Sequence, residues 1–391
     1  MPPLSLRTPL NSLLPALRHP IILAPMANAS GGLLASRVSH AGGFGFIGAG
    51  YYTPSKLHEE LQHVFEVLGV PGRGSANRLE VGVGFLAWRL SKLNGGPAPS
   101  LGASDLDPAS EALQLIDTAL KAKPRAVWLA FGNPEELVGW SKVVREREAA
   151  LHGGGRAKWG KELKLFVGVG NTKEAKWATE EMGADVLVVQ GIESGGHSLG
   201  TSPPLSSLLP LINSLLPSWS PSSPSNNPPL LLGAGGLHSG STLLSTLSLG
   251  AAGAVFGTRF LFTHEAAYSK EQKGMLVAAK EGTTVRTRAF DEARGTLGWP
   301  EGVDGRGILN ETVKDFDEGK GSVEERKERY KEAEAKGDTS RIVTWAGSGV
   351  GNINEVTGAE EVVQRIATEV AEAAERLRGY MTSEEETGAG Q

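Results

Sequence analysis

The stretch Val188 to Gly200, VVQGIESGGHSLG, places a histidine, His197, directly behind a glycine pair, Gly195 and Gly196. Imidazole is the side chain that takes up and releases protons near neutral pH. Glycines let the backbone come close to a bound ligand. Two further stretches, GAGGLHSG (233–240) and FGTRF (256–260), are glycine-rich turns ahead of helical patterns. Such turns present backbone N–H groups to an anion. Gly235, Gly236, Gly257 and Thr258 are the candidates to grip a phosphate. A phosphorylated ligand held by two adjacent loops fits flavin mononucleotide or a sugar phosphate, and the pattern alone does not choose. His238 and His264 also follow apolar runs, but no acidic partners or H-x-x-x-H spacing join them to His197, so no metal site is expected.

These residues need elements that bring them together. Eight short apolar runs are strand-like: 20–26, 44–50, 79–85, 125–132, 163–170, 185–191, 229–236 and 253–260. They are near-continuously apolar, as strands buried on both faces should be. Helical patterns such as SKLHEELQHVFEVLG, SEALQLIDTALKA and TKEAKWATEEMG separate them. That alternation implies βαβ units and a parallel sheet, and eight units imply a closed (β/α)8 TIM barrel. Active sites of such barrels lie in the loops after the strands, and the loops after strands seven and eight often bind phosphate. His197 then lies in the loop after strand six, on the catalytic face. GFGFIG (43–48) has the spacing of a dinucleotide fingerprint, but it lies within a strand, so that reading is dismissed.

The chain has 391 residues, a net charge of −5 and no cysteine. The acidic balance gives no footprint for nucleic acid. The lack of cysteine excludes disulfides, thiolate metal sites and a thiol nucleophile. No apolar run approaches the ~18 residues needed to span a membrane, so a cytoplasmic protein is the default. Pro3, Pro9 and Pro15 break any long helix near the N-terminus. We therefore read 1–19 as a segment capping the barrel bottom or the sheet edge, 20–262 as the ligand-binding barrel, and 263–391 as a helical and irregular extension packed on it. Within that extension, Val362, Ile366, Val370, Ala373 and Leu377 recur at helical spacing and predict an amphipathic helix. Residues 202–229 are rich in Ser and Pro, their first half compatible with the sixth barrel helix and the rest a solvated loop.

The segments PIILAPMANASGGLLASRVSHAGGFGFIGAG, GIESGGH, LLLGAGGLHSG, AVFGTRFLFTHEA and TRAFDEARGTLGWP, and more weakly WAGSGVG, together resemble the nitronate monooxygenases, formerly 2-nitropropane dioxygenases. The resemblance implies an FMN-dependent barrel that oxidises alkyl nitronates, and sometimes neutral nitroalkanes, with molecular oxygen. It implies that Met26 lies against the flavin ring, that Gln190 hydrogen-bonds the ring, and that Gly84 stands where many relatives carry an asparagine contacting it. Gly195 and Gly196 match the glycine pair of the family's E-A-G-G-H pattern. Gly235, Gly236, Gly257 and Thr258 match its phosphate loops, and His197 its catalytic base. Ser194 replaces the usual alanine, a small change. Gly84 resembles the branch that includes fungal enzymes and removes a polar contact, which bears on the substrates accepted. A homodimer is left open. FMN-dependent NAD(P)H:quinone or enoyl reductases share the barrel and much of the glycine pattern and are the alternative. A non-catalytic phosphate-binding barrel is a third reading.

Overall fold

The computed structural model describes residues 6–69, 78–96, 106–152, 163–223 and 225–381. Its centre is a closed barrel of parallel strands. They are β1 (Ile21–Leu23), β2 (Phe44–Gly48), β3 (Leu79–Leu86), β4 (Pro124–Ala130), β5 (Lys164–Val169), β6 (Val186–Gln190), β8 (Leu230–Ala234) and β9 (Gly253–Phe256), with β9 pairing back onto β1. Every predicted apolar run overlaps one of these strands, β3 and β4 each reaching one residue beyond theirs. Helices Pro54–Leu68, Glu111–Lys121, Pro134–His152 and Thr172–Glu180 lie where their patterns place them. Each buries its apolar stripe against the barrel wall, as Leu57, Leu61 and Val64 do in the first of them.

The barrel interior is solid at its lower end. Phe44, Phe46, Phe166 and Trp128 fill it, with the Phe46 ring 5.0 Å from Phe166 and 5.2 Å from Trp128, both edge-on. Leu10, Leu14 and Leu17 close it from below, and the Thr8 hydroxyl donates to the carbonyl of Ala252. The amphipathic helix Ala359–Arg378 packs between Gly32–His40 and Gly240–Ser248, at the place in the ring that follows β9. Its Val362, Val363, Ile366, Val370 and Ala373 are buried, whereas Leu377, predicted on the same stripe, is exposed, because the helix by then has run past its partners. The Glu369 carboxylate accepts from the Gly240 amide at 2.7 Å and so caps the neighbouring helix. No helix among the described residues is long and apolar enough to cross a membrane.

Two readings need correction. The extension 263–391 is not only helical and irregular, because β10 (Thr284–Thr287) and β11 (Val303–Ile308) form an antiparallel sheet with β7 (Gly196–Leu199), in the order β10-β11-β7. The segment after helix Leu205–Leu215 is not a free solvated loop either. Ser222 donates from its amide to the Thr179 carbonyl at 3.0 Å, Ser223 is buried, and Trp219 packs against the core.

Candidate active site

The carboxyl ends of the barrel strands open into a cavity of about 1460 Å³, its mouth included. Its floor is the upper end of the barrel core, with Trp128, Ala130, Val188 and Val255. Met26, Gly84, Gln190, Gly195, Gly196, His197, Gly235, Gly236, Gly257 and Thr258 all line it. Residues far apart in the chain thus meet because each follows a barrel strand.

One side of the cavity is built of backbone. Gly235 and Gly236 have φ of 115° and 70°, the left-handed region that side chains disfavour. The N–H groups of Gly235, Gly236 and Gly257 have no acceptor among the described residues. A Cβ built on Gly257 would meet only Met26 Sδ at 3.6 Å and Ala24 Cβ at 3.8 Å, so the protein itself does not require glycine there. The loop carrying Gly347 and Gly349 adds a third glycine-rich strand of backbone to this wall. The Gly347 amide donates to Thr258 Oγ1 at 2.9 Å and that of Ser348 to the Glu193 carbonyl at 3.0 Å. A Cβ on Gly195 would lie 2.4 Å from the Gly347 nitrogen, so Gly195 permits this crossing. Orphaned donors around an open space suit a phosphate.

Gly84 has a packing reason. A Cβ there would sit 2.3 Å from Pro25 Cβ, so the turn carrying Pro25 and Met26 lies directly over β3. An asparagine at this position would displace that turn. Gln190 donates from Nε2 to the His197 carbonyl at 3.2 Å, tying the end of β6 to β7 and leaving its oxygen free of that bond.

His197 is on a strand and not in a flexible turn, paired opposite Gly305 of β11. The local glycine-rich sequence has no strand pattern, and the partner arrives from a hundred residues downstream. Its Nε2 lies 3.0 and 2.9 Å from the two carboxylate oxygens of Asp291, and the two side chains are 8% and 3% exposed. Thr296 donates its hydroxyl to the same carboxylate at 2.9 Å. A carboxylate only accepts, so Nε2 carries the proton and Nδ1 is the ring's remaining acceptor. The imidazole stacks on Trp299 with ring centroids 3.6 Å apart at 9°, and meets Trp345 edge-on with centroids 5.0 Å apart. The Trp345 amide is in turn held by the Tyr268 hydroxyl at 3.0 Å. The imidazole is thus held by one nitrogen, an arrangement that general-base chemistry can use.

Sequence reading singled out His197 and missed everything that orients it. Asp291, Arg294 and Trp299 lie within TRAFDEARGTLGWP and Trp345 begins WAGSGVG, so their only signal was membership of segments quoted for the resemblance. Trp88, which follows β3, is 5.4 Å from Trp299 between ring centroids, and Phe131 meets the same indole edge-on at 5.2 Å. Phe131 and Asn28, both lining the cavity, hold φ of 57° and 59°. Left-handed backbone at a non-glycine residue costs ~1–2 kcal/mol, a strain that concentrates at functional sites. Tyr51 also lines the cavity, and burial pushes its phenol above the usual range while the Arg294 guanidinium pulls it back, so it remains a neutral donor.

A family model described as nitronate monooxygenase matches residues 8–72 and 158–369. The chain is 30% identical over 390 residues to a nitronate monooxygenase of Neurospora crassa, covering 95% of each. It is 31% identical to one of Metarhizium robertsii, covering 95% of this chain and 94% of that one. Among solved structures, FabK of Thermotoga maritima shares the fold with a TM-score of 0.69 at 23% identity, over 96% of this chain and 100% of that one. A nitroalkane oxidase of Streptomyces ansochromogenes does so with a TM-score of 0.67 at 24% identity, over 94% and 99%. A barrel whose mouth gathers an anchored histidine and three glycine-rich loops, matched by that family's model over most of its length, belongs to the nitronate monooxygenase family of oxidoreductases.

Proposed function

We propose that the protein binds FMN in this cavity and oxidises alkyl nitronates, and neutral nitroalkanes where His197 can deprotonate them, with molecular oxygen. The observation that carries the reading is the anchored imidazole, His197 on Asp291, opening into the same cavity as the orphaned amides of Gly235, Gly236 and Gly257. Those amides, with the Thr258 hydroxyl, would hold the phosphate. Met26 and Gln190 would flank the ring, and Gly84 lets the Pro25 turn approach it. When bound, FMN supplies an electron acceptor for the substrate and a partner for oxygen.

The chain's own residues supply the proton chemistry. Asp291 fixes the tautomer that leaves His197 Nδ1 free to take the α-proton of a neutral nitroalkane. The imidazolium so formed is stabilised by the buried carboxylate and by the face of Trp299. A nitronate is already deprotonated and needs no base, so His197 is then required only for position and charge. The apolar floor and the aromatic rings around the histidine exclude water from the reacting carbon.

The test is the spectrum of the purified protein under anaerobic conditions. A bound FMN spectrum that bleaches with ethyl nitronate, and returns with air, is expected. Rapid bleaching by NADH or NADPH with no response to nitronate would give the alternative, an FMN-dependent quinone or enoyl reductase. A colourless protein that takes up no FMN would leave a barrel that binds some other phosphate.

A further inference from the structure

Helix Ala289–Arg294 carries Asp291 and, one turn on, Arg294. Residues three apart on a helix share a face. Asp291, which anchors His197, and Arg294 therefore leave the same face of this helix, and Arg294 lines the cavity. Among the described residues Arg294 has no ion pair or hydrogen bond. Two buried donors on the same cavity are also without partners, the Tyr51 hydroxyl and the Trp299 indole N–H. A buried donor without a partner calls for an explanation, and for two that border the cavity an acceptor on a bound ligand supplies one.

We propose that Arg294, the Tyr51 hydroxyl and the Trp299 indole N–H form the receptor for the substrate's delocalised oxyanion, the paired oxygens of the nitronate. The inference rests on the nitronate reading above and adds to it the residues that select an anionic substrate. A guanidinium offers a planar fork of N–H donors matched to two oxygens on one centre. The two neutral donors add direction without adding charge. The Trp299 ring that stacks on His197 then also points one edge at the oxyanion, which places the carbon bearing the nitro group near the histidine. The receptor binds a nitronate better than a neutral nitroalkane, because only the former brings a full negative charge to Arg294.

Nitrate, a planar oxyanion that cannot react, is the binding probe. In flavin-loaded protein, Arg294→Met should weaken nitrate binding measured by calorimetry, and raise KM for ethyl nitronate, by ten- to a hundred-fold, as expected for loss of charge-assisted hydrogen bonds. The value of kcat should change less than threefold, and KM for neutral nitroethane should rise much less than KM for the nitronate. Arg294→Lys should recover part of both losses, and Tyr51→Phe should cost a few-fold in each. FMN affinity of the apoprotein should not change. Unaltered nitrate affinity and nitronate KM in the folded variants would overturn the proposal. A parallel loss of FMN affinity would overturn it too, by assigning Arg294 to the flavin. Nitrate binding that depends on Arg294 in a protein that turns over no nitronate would uphold the receptor and remove the nitronate reading. Nitronate turnover with a KM indifferent to Arg294 would do the reverse.

Discussion

Replacing Asp291 with asparagine should separate the two substrate classes. The carboxylate sits 2.9 Å from His197 Nε2, and both side chains are nearly inaccessible to solvent. At an effective dielectric of ~20, a carboxylate and an imidazolium at that separation attract by roughly 6 kcal/mol. Much of that is offset by desolvation of the carboxylate, and asparagine retains an acceptor for the Nε2 proton. The net loss then falls in the range of a hydrogen bond to a charged group, ~1.5–3 kcal/mol, or about ten- to 150-fold. It applies only when His197 becomes charged, so kcat/KM for nitroethane should fall by that factor while turnover of ethyl nitronate stays within about threefold. The kinetic isotope effect with α-deuterated nitroethane should rise as proton removal becomes slower. His197→Asn, which removes the base, should cost ~10²–10⁴ on the neutral substrate. Adding Asp291→Asn to it should cost little more, because the two act as one unit. Flavin content and Tm serve as controls. Equal losses on both substrates, or additive losses in the double variant, would refute a positioning role for Asp291.

Two further perturbations follow from the packing. Gly257→Ala should leave FMN content unchanged, since its Cβ meets only ordinary contacts, whereas Gly257→Asp, setting a carboxylate beside a phosphate, should empty the site; retention of FMN by a folded aspartate variant would remove Gly257 from the phosphate grip. Deleting 219–227 should lower Tm in a thermal melt, because it removes the Ser222 bond to Thr179, the buried Ser223 and the Trp219 contact; an unchanged melt would return the segment to the role of a solvated connection.

The barrel was legible because its causes are local. Each strand buried on both faces must be an apolar run, each flanking helix must carry a stripe, and β6, β8 and β9 each run into glycine, with the pair after β8 in left-handed backbone. From this pattern alone His197, Gly235, Gly236, Gly257 and Thr258 could be placed at one end of one barrel, and the family resemblance added Gln190; all six line the same cavity. The stripe of Ala359–Arg378 was equally plain, up to the point where Leu377 outruns its neighbours. What the sequence could not contain is pairing between distant segments that lack periodicity. Gly196–Leu199 is a strand only because Val303–Ile308 comes back to it, and that pairing turns a glycine-rich loop into a fixed mount for His197. Asp291 and Arg294, on a short helix, and Trp299 and Trp345, in irregular stretches, carried no pattern of their own until the chain crossed the barrel mouth. Periodicity records which face of an element is buried. Contacts among loops that meet over a cavity leave no such record, and tertiary structure alone decided which carboxylate anchors the histidine and which guanidinium lines the same cavity.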